Sequence, residues 1–276
     1  MSGPGHITAS AGELAEALPR WVTLLRAPNP GPMTLDGTNT WLLRAPDVAL
    51  GLVVDPGPEI EEHLAAIAER LPFAAILITH GHADHAEGAR SLSARLGGTP
   101  ILAADPEHGD QLLSAGPLAV PGLTLEVLST PGHTLDSVSF VAGLGDERVV
   151  LTGDTILGRG TTVVAWPDGH LGDYLGSLER LSSYRGIVGL PGHGPALADT
   201  GAAAAFYHAH RTARLDQVRD AVRAGATTAQ EVVARVYADV DRSLWWAAEW
   251  SVRAQLDHLH ALDREFPSGS AGLDPP

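Results

Sequence analysis

The segment His80-Gly-His82-Ala-Asp84-His85 constrains the fold more than any other part of this 276-residue chain. The apolar run AAILIT precedes it and a helix-like pattern follows, which predicts a loop between a strand and a helix. Imidazole and carboxylate groups both bind divalent metals such as zinc. A single ion cannot easily use all four of these side chains at this spacing. The segment therefore predicts two neighbouring metal ions.

Three further candidate ligands each follow a glycine at the end of an apolar run. His133 follows LEVLSTPG, Asp154 follows VVLTG and His193 follows IVGLPG. Glycine permits a sharp turn and a close approach of the backbone at such a position. Ligands of α/β proteins usually bind beyond the carboxyl ends of strands, so we expect these side chains to meet at one edge. The predicted metal ligands are His80, His82, Asp84, His85, His133, Asp154 and His193.

The first two thirds of the chain have the pattern of an α/β domain. Between about residues 40 and 193, short apolar runs alternate with polar loops and helix-like stretches. The spacing of apolar residues predicts helices over 59–70, 83–96 and 171–184. We therefore predict one α/β domain over residues 1–198.

The remainder of the chain is predicted to be helical, because no convincing strand run occurs over 199–266. Thr228-Ala-Gln-Glu231 is a capping-box pattern that opens a helix. Trp245, Trp246 and Trp250 predict another helix with a bulky buried face. We expect a small helical domain at 199–266 and a disordered tail at 267–276.

Composition excludes several classes of chemistry. The chain has no cysteine, and all 18 of its basic residues are arginine. Thiolate ligands, a cysteine nucleophile, a Schiff-base lysine and a Walker-type phosphate loop are therefore excluded. The net charge of −15 disfavours duplex nucleic acid and membranes as partners. No membrane-length apolar stretch or secretory signal is present, which predicts a cytoplasmic protein.

The ligand motifs resemble those of the metallo-β-lactamase superfamily. HGHADH resembles the HxHxDH signature, and PGH133, GD154 and GH193 resemble the remaining ligand motifs in the expected order. The resemblance implies a four-layer αβ/βα sandwich of two facing sheets, with two metals at one edge. It implies that His80, His82 and His133 hold one ion, that Asp84, His85 and His193 hold the other, and that Asp154 bridges them. Asp55, in VVDPG, is expected to support the ligand loops.

Two divalent ions in such a site would share a bridging hydroxide that attacks the substrate directly. Zinc is the expected metal, with manganese or iron as alternatives. Asp84 and Asp154 are predicted to orient the hydroxide. His170 lies in TTVVAWPDGH between two ligand motifs, and we predict that it contacts substrate or donates a proton. His63 and His108 are predicted to be solvated.

Two further stretches bear on the substrate. NPGPMTLDGTNTWLL at 29–43 and TTAQEVVARVYADVDRSLWWAAEWSVRAQLDHL at 227–259 together resemble the β-lactamase-like protein 2 family, which has a winged-helix-like C-terminal domain. A mitochondrial member of that family is an endoribonuclease, so the resemblance implies cleavage of single-stranded RNA. The alternatives are a thioester or ester hydrolase similar to glyoxalase II and a non-catalytic metal-binding interaction protein. Arg211, Arg214 and Arg219 form either a basic stripe beside the site or a solvated helix face.

Overall fold

The computed structural model describes residues 17–70 and 72–265, so the predicted tail at 267–276 lies outside the described residues. Two β-sheets form the centre of the fold. The first sheet contains, in spatial order, β1 (Val22–Arg26), β2 (Asn39–Leu43), β3 (Gly51–Val54), β4 (Phe73–Leu77), β5 (Ile101–Ala103) and β6 (Gln111–Leu112). The second contains β11 (Val188–Pro191), β10 (Glu147–Gly153), β9 (Val138–Leu144), β8 (Thr124–Ser129) and β7 (Gly116–Pro117).

The two sheets face each other and share one apolar core. Side chains alternate between the two faces of a strand. In β4, Ala75 and Leu77 pack into the core between the sheets, whereas Ile76 packs against the outer helices. In β10, Leu151 points inward and Val150 points outward. Because both faces of these strands are buried, their sequences are continuous apolar runs.

Helices cover the outer face of each sheet. The helices α1 (Glu61–Ala68) and α3 (Ala89–Arg95) pack on the first sheet. The helices α4 (Leu171–Leu181) and α5 (Thr200–Arg223) pack on the second. The order helix, sheet, sheet, helix confirms the predicted four-layer architecture.

The helix predicted over 83–96 is divided in two, which corrects the prediction from apolar spacing. A short helix α2 (Ala83–Ala86) precedes α3, and the break falls at Gly88. The amide of Gly88 donates to the carbonyl of Gly57 at 3.0 Å. A Cβ atom at position 88 would lie 2.8 Å from Leu64 Cδ2, so the close approach needs a glycine. This contact joins distant parts of the chain, and helical periodicity does not reveal it.

The C-terminal part is helical, as predicted. It contains the second half of α5, α6 (Ala229–Val236), a 3-10 turn (Arg242–Leu244) and α7 (Trp245–Glu265), and the described residues after 199 include no strand. The capping box is confirmed, because Thr228 Oγ1 accepts from the amide of Glu231 and the Glu231 carboxylate accepts from the amide of Thr228. The predicted boundary near residue 198 lies at the start of α5, a helix that packs on both parts of the chain.

The tryptophans of α7 are less buried than the sequence predicts. Trp246 and Trp250 are 46% and 40% exposed, and their ring centroids lie 5.0 Å apart. Small and polar side chains such as Ala248 and Ser251 form the buried face of α7 instead. Among the described residues, no helix is both long and apolar enough to span a membrane.

Candidate metal centre

Strand ends position the seven candidate ligands, as the sequence predicts. The segment 80–85 follows β4 of the first sheet, and the other three ligands follow β8, β10 and β11 of the second. The ligands therefore meet at one edge of the sandwich and come from both sheets. All seven side chains lie close to one another there, and they form three overlapping groups suited to a metal ion.

The first group is made by three histidines. The Nε2 atoms of His80 and His133 each lie 3.1 Å from Nδ1 of His82. His80 and His133 are buried, whereas His82 is partly exposed. Three ring nitrogens that converge in this way are a donor set that can hold a divalent metal ion and leave a position open for water.

The second group combines two histidines with Asp84. His193 Nε2 lies 3.1 Å from Asp84 Oδ2 and 3.2 Å from His85 Nε2. His85 Nε2 lies 3.6 Å from the same carboxylate oxygen. These atoms also converge on a common point, next to the first group.

Asp154 lies between the two groups. Its Oδ1 atom is 3.4 Å from His85 Nε2, and its Oδ2 atom is 3.4 Å from His193 Nε2 and 3.8 Å from His133 Nε2. Asp154 Oδ1 is buried and accepts no hydrogen bond. A buried carboxylate oxygen without a partner is costly, and a divalent ion would satisfy it. The residues present therefore fit a pair of metal ions with Asp154 as the bridging ligand.

Hydrogen bonds at Nδ1 fix the orientation of four of the histidine rings. When an acceptor holds the Nδ1 proton, the Nε2 lone pair is free to bind a metal. The partners are Thr79 Oγ1 for His80 at 3.0 Å, Asp55 Oδ2 for His85 at 2.8 Å, the Val163 carbonyl for His133 at 2.6 Å and the Gly37 carbonyl for His193 at 3.3 Å.

Asp55 supports the ligand loop, as the resemblance implied. Its carboxylate accepts from the amide and the hydroxyl of Thr79 at 2.8 and 2.7 Å, in addition to His85. Because the Thr79 hydroxyl donates to Asp55, it is free to accept from His80 Nδ1. Asp55 has a positive φ of 53°, an unusual conformation for a residue with a side chain. One carboxylate therefore orients a ligand of each group.

The electrostatics of the site favour a cation. Burial lowers the pKa of His133 to about 4, so its ring is neutral at neutral pH. Burial raises the pKa of Asp154, but the nearby charges of His193 and His85 outweigh this effect and hold it well below its usual value. Burial likewise opposes the charged form of His193, yet the Asp154 carboxylate raises the pKa of that ring to about 9. The buried carboxylates thus remain ionised beside positive charge, which protonated His193 and His85 supply in the metal-free site and a bound divalent ion would supply in their place.

The glycines that precede the ligands are required by close contacts. A Cβ atom at Gly132 would lie 2.3 Å from the Tyr174 backbone, and one at Gly153 would lie 2.7 Å from Thr79 Oγ1. A Cβ atom at Gly192 would lie 2.5 Å from Asp154 Oδ1 and 2.6 Å from a ring carbon of His85. Gly132 and Gly153 also have positive φ angles, which favour glycine. The predicted role of these glycines in close approach is confirmed.

Replacing Gly192 with alanine is expected to weaken metal binding by about 10- to 100-fold, because the new methyl group would displace Asp154 and His85. Metal affinity can be measured by competition with a chromophoric chelator. Gly176→Ala in α4 is the matched control, since a Cβ atom there would meet nothing within 4 Å. Equal affinities in the two variants would contradict the role of Gly192.

The structure contradicts the prediction for His63 and leaves the prediction for His170 untested. His63 is buried, with 5% of its surface exposed, and its Nε2 atom lies 2.9 Å from Thr40 Oγ1, so the prediction that it is solvated was wrong. Thr40 in turn donates to the Asp55 carbonyl at 2.6 Å. His170 lies at the start of α4 with an exposed ring 3.3 Å from Asp173. Among the described residues, no hydrogen bond or ion pair joins His170 to the seven ligands, so its catalytic role remains a prediction.

Asn39 is a supporting residue that the ligand motifs did not reveal. It is fully buried, and its side-chain amide donates to the carbonyls of Pro191 and Gly194 at 3.0 and 2.8 Å. These bonds hold the loop that carries His193. The stretch NPGPMTLDGTNTWLL contains this asparagine, but only the fold brings it to the ligand loop.

Comparison with known families agrees with this site. A model of the metallo-β-lactamase superfamily matches residues 33–108 and 101–193, and one of the β-lactamase-associated winged helix domain matches residues 228–264. The chain therefore belongs to the metallo-β-lactamase superfamily, and it carries the winged helix domain associated with that family. The enzyme class is a metal-dependent hydrolase.

Individual relatives differ in their named activities. An atrochrysone carboxyl ACP thioesterase from Aspergillus chevalieri is 36% identical over 80% of this chain and 74% of its own length. A β-lactamase-like protein 2 homologue from Caenorhabditis elegans is 33% identical over 90% of this chain and 86% of its own. A β-lactamase domain protein from Burkholderia ambifaria shares the fold with a TM-score of 0.78 and 24% identity, and covers 93% of this chain and 94% of its own.

Proposed function

We propose that this chain is a dinuclear metal-dependent hydrolase of thioesters or esters that carry a largely apolar acyl group. The observation that carries the proposal is a cleft that begins at the metal centre and continues between apolar side chains of the C-terminal helices. His133 and Asp154 lie in its wall. The other lining residues include Met33, Leu35, Leu157, Val163, Val240, Leu244, Ala247 and Ala248.

The shape and lining of this cleft favour an acyl substrate. The cleft combines apolar side chains with polar ones such as Thr162 and Ser251, and a concave site of apolar walls and convergent polar groups is typical of small-molecule binding. The C-terminal domain supplies part of the apolar wall, through Val240, Leu244 and Ala247 among others, and would therefore take part in substrate binding. The relative from Aspergillus chevalieri is named as an ACP thioesterase, and this supports the proposal.

The residues of the site would divide the chemistry among them. Two divalent ions held by the seven ligands would supply Lewis acidity and a water molecule of lowered pKa. Asp84, whose side chain is 29% exposed, is accessible to water and can accept its proton. Asp154 is held at the junction of both ligand groups and can orient the same water. The absence of cysteine and lysine is consistent with a reaction that needs no such protein nucleophile.

Single-stranded RNA is the second candidate substrate, and a specific observation favours it. The exposed pair Trp246 and Trp250 could stack on bases. The likeness to the β-lactamase-like protein 2 homologue also extends over 90% of this chain. Against this candidate, the net charge is −15, and surface arginines such as Arg219 and Arg223 pair with neighbouring aspartates. Such a surface does not attract a phosphate backbone.

One assay separates the two candidates. Metal-loaded protein is expected to hydrolyse the valeryl thioester of N-acetylcysteamine and to leave a fluorogenic single-stranded RNA intact. The Asp84→Ala variant controls for contaminating activity in both reactions. Cleavage of the RNA alone, lost in the Asp84→Ala variant, would contradict the acyl-hydrolase proposal and favour the nuclease.

A further inference from the structure

Two buried arginines line the cleft beside the metal centre. Arg211 and Arg214 lie on the same face of α5, one turn apart, and each is only 5% exposed. Among the described residues, neither forms an ion pair with a carboxylate. The arginines that do form ion pairs lie nearer the surface, each with about a third or more of its side chain exposed: Arg90, Arg95, Arg159, Arg219, Arg223 and Arg253.

Both guanidinium groups are held in place by neutral partners. Arg211 donates to the carbonyl of Thr162 and lies over the Tyr174 ring, with 5.5 Å from its guanidinium carbon to the ring centroid. Arg214 donates to the Val236 carbonyl at 2.6 Å and lies 4.5 Å from the Tyr237 ring centroid. Carbonyls and aromatic faces stabilise a cation but do not neutralise its charge.

Several polar atoms in this region also lack a partner. The Nε atoms of Arg211 and Arg214 are buried and make no hydrogen bond, and the same holds for Nδ1 of His210, which lines the same cleft. The pKa of His210 falls to about 4, first because of burial and then because of the two arginine charges beside it. A buried, unneutralised charge is costly, and an anion bound in the cleft would offset that cost.

The cleft therefore combines apolar walls with two uncompensated cations, and the metal ligands His133 and Asp154 line the same cleft. Arg211 contacts Thr162, whose side-chain oxygen lies 3.3 Å from the metal ligand His133. We propose that Arg211 and Arg214 determine specificity by binding a carboxylate carried on the acyl group of the substrate. The proposal rests on the acyl-hydrolase function and narrows it to acyl chains that bear a negative charge. Planar guanidinium groups suit this recognition because they can bind a carboxylate through two parallel hydrogen bonds.

The test compares two thioesters of N-acetylcysteamine with acyl chains of equal length, glutaryl with a terminal carboxylate and valeryl without one. Wild-type protein is expected to favour glutaryl in kcat/KM by at least about tenfold, as expected for hydrogen bonds to a charged group. The Arg214→Gln variant should lose most of this preference, measured as the ratio of its kcat/KM for the glutaryl thioester to its kcat/KM for the valeryl thioester. Arg219→Gln, an exposed arginine on the same helix, should retain the preference.

Distinct outcomes separate this proposal from the proposed function. If the wild-type protein hydrolyses the valeryl thioester and does not favour the glutaryl thioester, the proposed carboxylate site is contradicted and the hydrolase function is still supported. Hydrolysis of neither thioester would contradict the function itself. In that case, stabilisation of the metal-loaded wild-type protein by glutarate, lost in Arg214→Gln, would still support the anion site, and equal stabilisation of the wild type and the variant would overturn it.

Two additions make the test robust. The conservative variant Arg214→Lys keeps the charge and serves if Arg214→Gln does not fold, as judged by circular dichroism; it should retain part of the preference. The valeryl thioester of phosphopantetheine carries its negative charge on the phosphate of the leaving thiol and not on the acyl group. One outcome is that the protein prefers this substrate to valeryl N-acetylcysteamine in a way that depends on Arg214, yet shows no preference for the glutaryl thioester. That result would overturn the assignment of the carboxylate to the acyl group.

Discussion

Replacing Asp84 with alanine is expected to lower thioester turnover by about 10³-fold or more while the protein stays folded. Asp84 Oδ2 lies 3.1 Å from His193 Nε2 and 3.6 Å from His85 Nε2, so its loss would remove one of three ligands from the second group. Asp84 is also more exposed than Asp154, with 29% against 10% of the side chain accessible. The substitution therefore removes both a ligand and the carboxylate that water can reach.

The measurement is kcat together with metal content by elemental analysis after gel filtration. Turnover should be lost and the metal content should fall, because the second group then has only two histidines. Asp146→Ala in the exposed turn between β9 and β10 is a matched control and should behave as the wild type. Turnover near the wild-type rate in the Asp84→Ala variant would show that this carboxylate is not part of the reacting centre.

The position of the site could be predicted from the sequence because short, local sequence motifs mark each ligand. Each ligand follows an apolar run and a glycine or the start of the HGHADH segment, and strand ends meet at the edges of sheets. The glycines are informative for the same reason: Gly192 leaves room for Asp154 and His85, which a side chain would displace. Local sequence could not show that the ligands come from two facing sheets, since that depends on how the sheets pack.

The supporting residues could not be predicted, because their partners are distant in the chain. The buried His63 contacts Thr40, which lies 23 residues away in the chain, and the Asn39 side chain donates to the carbonyl of Gly194, which lies 155 residues away. On α5, buried and exposed arginines follow one another, and only tertiary contacts place Arg211 and Arg214 in the cleft while Arg219 stays at the surface. A solvated helix face was a reasonable prediction for all three, and it is correct for Arg219 alone.

Removal of the metal ions is expected to abolish turnover and to lower the unfolding temperature of the protein. Without a cation, the buried Asp154 Oδ1 accepts no hydrogen bond, and ring nitrogens 3.1 to 3.2 Å apart face one another without a common ligand. An ion present at 1,000 times its dissociation constant would stabilise the fold by about 4 kcal/mol. For a domain of this size that corresponds to a shift on the order of 10 °C.

The test is thermal unfolding and thioester turnover after dialysis against EDTA, with metal content verified, and again after zinc is restored. Both the unfolding temperature and the turnover should recover with zinc, and EDTA saturated with zinc beforehand should have no effect.

The hydrogen bonds that support the ligands allow a test that removes no ligand. Asp55→Asn weakens the acceptor that orients His85 and keeps a similar shape, so it should lower metal affinity by about 10- to 100-fold without removing a ligand. Full turnover by protein verified to be free of metal would contradict the dinuclear mechanism, because the buried histidines and aspartates would then have no cation to hold.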